Sequence, residues 1–103
     1  MVFVYTTVKT EQEGVILGNN ALAEHLVSCV DMWPVRSLYF WEGQPEDISQ
    51  CMVLFTTDPE RIDALTEFIK KNHSYKVPLI GVSPVKITNV DYHLWAKNSI
   101  YGE

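Results

Sequence analysis

Apolar and β-branched side chains fill the segment from Val2 to Val8, the pattern of a buried strand. Thr10-Glu11-Gln12-Glu13 then has the spacing of a capping box, in which the threonine oxygen takes one free amide and Glu13 reaches back to another. Behind it Val15, Leu22, Leu26 and Val30 recur at steps of seven, four and four, with Ile16, Ala23 and Val27 beside them. This predicts a helix with an apolar stripe, ending near Cys29. Residues 31–41 read as extended and residues 50–57 (QCMVLFTT) as a second strand; the turn formers from Glu42 to Asp47 join them in a hairpin with a loose tip. Asp58 before Pro59 predicts a cap and a first helical position, Ile62, Leu65 and Ile69 the next stripe, and Lys70 and Lys71 its positive end. Val77 to Val85 reads as a fourth strand whose Pro78 and Pro84 mark an edge or a bulge. Asn89 can cap a short last helix holding Tyr92, Trp95 and Ala96.

The order β-α-β-β-α-β plus a terminal helix is the α+β, ferredoxin-like split βαβ arrangement, an antiparallel sheet with two helices on one face. Residues 1–103 read as one such domain, without repeats or linkers. Within it the stretch SLYFWEG, residues 37–43, is unusual. A strand points successive side chains to opposite faces, so Leu38 and Phe40 face one way and Tyr39 and Trp41 the other. Two helices cover only one face, and the last helix is too short to shield the whole of the second. A partner subunit is the simplest cover, because exposed apolar patches mark interfaces.

Composition narrows the partners. The chain is 47% hydrophobic and 20% charged, which is globular, and its net charge of −5 lacks the basic footprint that nucleic acid requires. No run approaches the ~20 apolar residues of a membrane span, and MVFVYTTVKT has no basic region of the kind that opens a signal peptide. Cys29 and Cys51 form no CxxC pair, so reduced thiols in a cytoplasmic protein are expected.

The segments LVSCVDMWPVRSLYFWEGQ, NHSYKVPLIGVSP and DYHLW resemble the CutA divalent-cation tolerance family. SxYxWEG followed about thirty residues later by HxYxVP carries most of that likeness, and it extends over nearly the whole chain. The resemblance implies a homotrimer in which the hairpin reaches across to a neighbour, with clefts between subunits. Those clefts would contain Tyr39, Trp41, Glu42, His73, Tyr75 and Trp95. It also implies a link to divalent metals, with Cu²⁺ or another divalent ion as the ligand, and an architecture similar to PII signalling trimers. The chain departs from the family pattern at polar places: Thr6 for a cysteine, Phe55 for a lysine, Asn72 for a histidine, and Lys76 and Leu79 for glutamates.

His73 and Cys29 are the metal-ligand candidates. His25 and Cys29, four apart on the expected helix, would share a face and offer imidazole and sulfur suited to copper or zinc, although structural zinc takes four ligands. Against this stand a packed cysteine and a histidine bonded to backbone carbonyls at a helix end. Core or interface packing likewise competes with a ligand role for Tyr39, Trp41, Tyr92 and Trp95. No GxSxG, glycine-rich phosphate loop or HExxH occurs, and Thr7-Val8-Lys9-Thr10 lacks the arginine of an acylphosphatase anion loop, so no enzyme is expected. The leading expectation is a trimer tied to divalent-metal response. A PII-like trimer binding a small ligand and a partner protein, or a purely structural oligomer, are the alternatives.

Overall fold

The computed structural model describes residues 1–102. Its elements run β1 (Val2–Val8), α1 (Glu11–Ala23), β2 (Cys29–Trp41), β3 (Gln44–Thr57), a 3-10 turn (Pro59–Arg61), α2 (Ile62–Asn72), β4 (Gly81–Pro84) and α3 (Val90–Tyr101). All pairings are antiparallel, in the order β2-β3-β1-β4. This is the split βαβ topology that the sequence predicts.

Alternation along the central strands decides the core. Val2, Val4, Thr6 and Val8 are buried on one face, directly opposite Thr57, Phe55, Val53 and Cys51 of β3. Leu17 and Ala21 of α1 and Leu65, Phe68 and Ile69 of α2 close over them. Phe3, Tyr5 and Thr7 point to the other face and are only half-buried.

Helix α1 differs from its expected form in two ways. It buries Gly14, Leu17, Gly18 and Ala21, while Val15, Ile16 and Leu22 stay exposed. A Cβ on Gly14 would come within 3.1 Å of a Val53 methyl, and one on Gly18 within 3.0 Å of a Val30 methyl, so small residues set how closely the helix lies on the sheet. The helix also stops at Ala23, short of Cys29. His25 takes φ 55°, its N–H bonds Leu22 O at 3.0 Å, and the Leu26 N–H bonds Ala21 O at 3.1 Å. This is a Schellman stop with histidine in the usual glycine position. Cys29 therefore opens β2, and the expected pairing of His25 with Cys29 on one helix face does not exist.

The hairpin tip is tight rather than loose. Only Glu42 and Gly43 form the loop, with φ of 51° and 78°, the sign pattern that matches strand twist. Pro45 is accommodated because β1 pairs with β3 only as far as Cys51, leaving the other edge of β3 free in residues 44–50. Residues 35–50 thus project as a two-stranded arm, and the molecule measures 47 × 26 × 22 Å. Arg36 clamps the arm with two hydrogen bonds to Asp47, at 2.8 and 2.6 Å.

The fourth strand is shorter than expected, four residues from Gly81. A Cβ at Gly81 would lie 2.6 Å from the Tyr5 ring, so a glycine lets β4 pass there. Asp58 does not cap the following helix; its carboxylate accepts from the Tyr101 hydroxyl instead. Asn89 does cap α3, accepting from the Asp91 N–H at 3.1 Å, but that helix runs twelve residues and is not short.

Candidate functional site

The peptide after α2 is built on one imidazole. His73 Nδ1 accepts from the Tyr75 N–H at 3.0 Å, so it carries no proton. Nε2 therefore holds the proton and donates to Thr7 O at 2.9 Å, with the buried Thr6 hydroxyl 3.2 Å away. Beyond Tyr5 strand β1 has no β4 residue beside it, and the His73 ring satisfies a strand carbonyl there. Glu13 anchors the next residue, accepting from the Ser74 hydroxyl at 2.7 Å. Only half of the expected capping box is thus present: the Glu13 N–H bonds Thr10 Oγ1, but the Glu13 side chain goes to the loop.

Held this way, Tyr75 packs its ring against His73, centroids 4.9 Å apart, and donates its hydroxyl to Gln50 Oε1 at 2.7 Å. Gln50 lies on the face of β3 that α1 and α2 leave open, as do Tyr39 and Trp41 on β2. An open cleft of about 570 Å³ results, walled by Tyr39, Trp41 and Tyr75, with Glu46, Lys76 and Leu79 among its lining. Burial pushes the Tyr75 hydroxyl up, with the nearby Tyr39 and Glu13 adding to the shift.

The structure brings Tyr39, Trp41 and Tyr75 together and leaves the other expected cleft residues outside. Glu42 is in the turn at the arm's tip. Trp95 lies on α3, paired with Tyr92 at 5.4 Å between centroids. His73 stands behind Tyr75 with both nitrogens engaged. Cys29 is at the level of Thr56 and Phe3, three to four residues along the sheet from His73's contacts, roughly 10 Å or more. Its thiol lies 3.6 Å from an Asp31 oxygen, and burial, then the Asp31 charge, push it up, so the protonated form dominates. Among the described residues no three of His, Cys, Asp and Glu gather as a metal site. The donors among the described residues of one chain do not fit a resident divalent ion.

Two departures noted in the sequence also fall outside the cleft. Phe55 is fully buried under the helices, and Thr6 faces the same core. Glu46, by contrast, carries no sequence signal beyond its acidity. It becomes part of the cleft only through register, which sets it directly opposite Tyr39.

The model of the CutA1 divalent ion tolerance proteins matches residues 2–99. Protein CutA 1, chloroplastic, from rice (Oryza sativa subsp. japonica) is 36% identical over 99 residues, covering 95% of this chain and 56% of that protein. The chain thus spans little more than half the length of that relative. The divalent-cation tolerance protein CutA of Yersinia pestis (strain Pestoides F) is 33% identical over 100 residues, covering 96% of this chain and 84% of the relative. The structure of the periplasmic divalent cation tolerance protein CutA from Archaeoglobus fulgidus superposes with a TM-score of 0.93 at 25% identity, over 97% of this chain and 99% of that one. Fold, length of match and motif agree, and the chain belongs to the CutA1 divalent ion tolerance family.

Proposed function

We propose that the protein works as a homotrimer in the response to divalent metal ions, by binding rather than by catalysis. The observation that supports assembly is the free arm. An isolated two-stranded ribbon is marginal in water, yet Leu38 and Phe40 on this one are 71% and 77% exposed. Burying each against a neighbouring copy contributes about 1.5–3 kcal/mol. The trimeric order and the metal-response role draw on the likeness to the CutA family. A copper or other divalent ion needs donors from more than one copy, because the adjoining Cys29 and Asp31 supply only two per chain and structural zinc sites take about four.

The signalling reading, in which the trimer takes a small organic ligand, is favoured by the aromatic cleft at the root of the arm. Among the described residues no helix is long and apolar enough to cross a membrane. The two free thiols, Cys29 and Cys51, support the cytoplasm as the proposed location. Sedimentation equilibrium tests the assembly. The protein should have the mass of three chains, and Phe40→Asp should shift it toward one; a single-chain mass for the unaltered protein overturns the proposal.

A further inference from the structure

We infer that the cleft beside the arm binds a small organic ammonium compound that also carries an acid group. The inference rests on the reading of that cleft as a ligand site and names its ligand. Three aromatic side chains, Tyr39, Trp41 and Tyr75, form the walls. The faces of such rings attract cations, and indole most strongly. Tyr39 and Glu46 are cross-strand partners, so the carboxylate shares the aromatic face. Glu46 is half-buried and takes part in none of the three ion pairs among the described residues.

An apolar ligand would strip water from that carboxylate and give it no partner, which is costly. An anion alone would meet its repulsion. An ammonium group satisfies the carboxylate and the ring faces together. Lys76, exposed in the lining and likewise without an ion pair, then supplies a cation for an acid group at the other end of the ligand. Gln50 adds its amide N–H₂, since its oxygen is already taken by Tyr75. The cleft, at about 570 Å³, leaves room for a substituent beyond these two groups.

Glycine betaine is the minimal probe, with tetramethylammonium lacking the acid group and tert-butanol lacking the charge. In NMR titrations of the full chain, betaine should bind, with contacts from its N-methyl protons to the Trp41 indole. Tetramethylammonium should bind more weakly and tert-butanol not measurably. Glu46→Gln should weaken betaine by about tenfold or more, and Lys76→Met should bring betaine down to the level of tetramethylammonium. The inference is overturned if tert-butanol binds as well as betaine, if Glu46→Gln leaves affinity unchanged, or if no N-methyl contact to Trp41 is seen in the unaltered protein. Mass measured on the same samples separates the two readings. Betaine binding by a single chain defeats the trimer alone, and a trimer that ignores betaine defeats the ligand alone.

Discussion

Both ring nitrogens of His73 are committed, Nδ1 accepting from the Tyr75 amide and Nε2 giving its proton to Thr7 O. A metal at either nitrogen would have to break one of these bonds and release the loop that holds Tyr75. His73→Ala should therefore cost about 1–3 kcal/mol, the usual penalty for orphaning a part-buried acceptor, while a calorimetric Cu²⁺ titration keeps the isotherm of the unaltered protein. Loss of copper binding at unchanged stability would return His73 to the ligand role that the resemblance implies. The motif HxYxVP identifies this histidine as special without saying why. Its partners, Thr6 and Thr7, lie more than sixty residues away, and only the missing stretch of β4 makes them need it. Phe55 misleads in the same way: its departure from the family pattern looks like a lost cleft charge, yet strand parity turns it into the core.

Elements were legible where the apolar period matched the buried face, and misread where it did not. The stripe of α2 ends up where its pattern points, whereas β1, which reads as a buried strand, buries only its alternate residues. In α1 the large apolar residues lie outside and the glycines inside, because close approach to the sheet excludes bulk. Its end is hidden because histidine, not glycine, turns the chain. Helix α3 is fixed by contacts that pattern cannot reveal: Ala96 and Ile100 are buried, and Tyr101 donates to Asp58 while lying 4.9 Å beneath the Arg61 guanidinium. The bond to Asp58, then burial and the charges of Asp58 and Glu60, push the Tyr101 hydroxyl up to about 12. An unfolded tyrosine titrates near ~10, so the folded state favours the protonated hydroxyl. The stabilisation is whole below about pH 10 and is lost as pH rises toward about 12. Thermal melts followed by circular dichroism should show that alkaline loss. Tyr101→Phe should melt lower at neutral pH and have a flatter profile across this window; an unchanged profile would remove Tyr101 as the clasp of α3.

At the scale of the molecule, the core and the arm are separable. The core strands and helices bury one another at residues such as Val4, Phe55, Leu65 and Ile69, and the strand residues among these, Val4 and Phe55, pair with each other and not with residues 38–47. Ser37 and Ile48 are cross-strand partners, so removing residues 38–41 and 44–47 leaves them joined by Glu42-Gly43, with the turn and the alternation of faces preserved. Such a protein should still unfold cooperatively, since its core is intact, while sedimenting as a single chain. It should also lose betaine binding, because Tyr39, Trp41 and Glu46 go with the arm. If the shortened protein still has the mass of three of its own chains, copies meet through some other surface. Of the exposed side chains of SLYFWEG, Tyr39 and Trp41 would then serve the cleft, and Leu38 and Phe40 would face away from it. If it becomes a single chain, the two unlike faces of that stretch have separate uses: Leu38 and Phe40 bury against a neighbour, while Tyr39 and Trp41 wall the cleft.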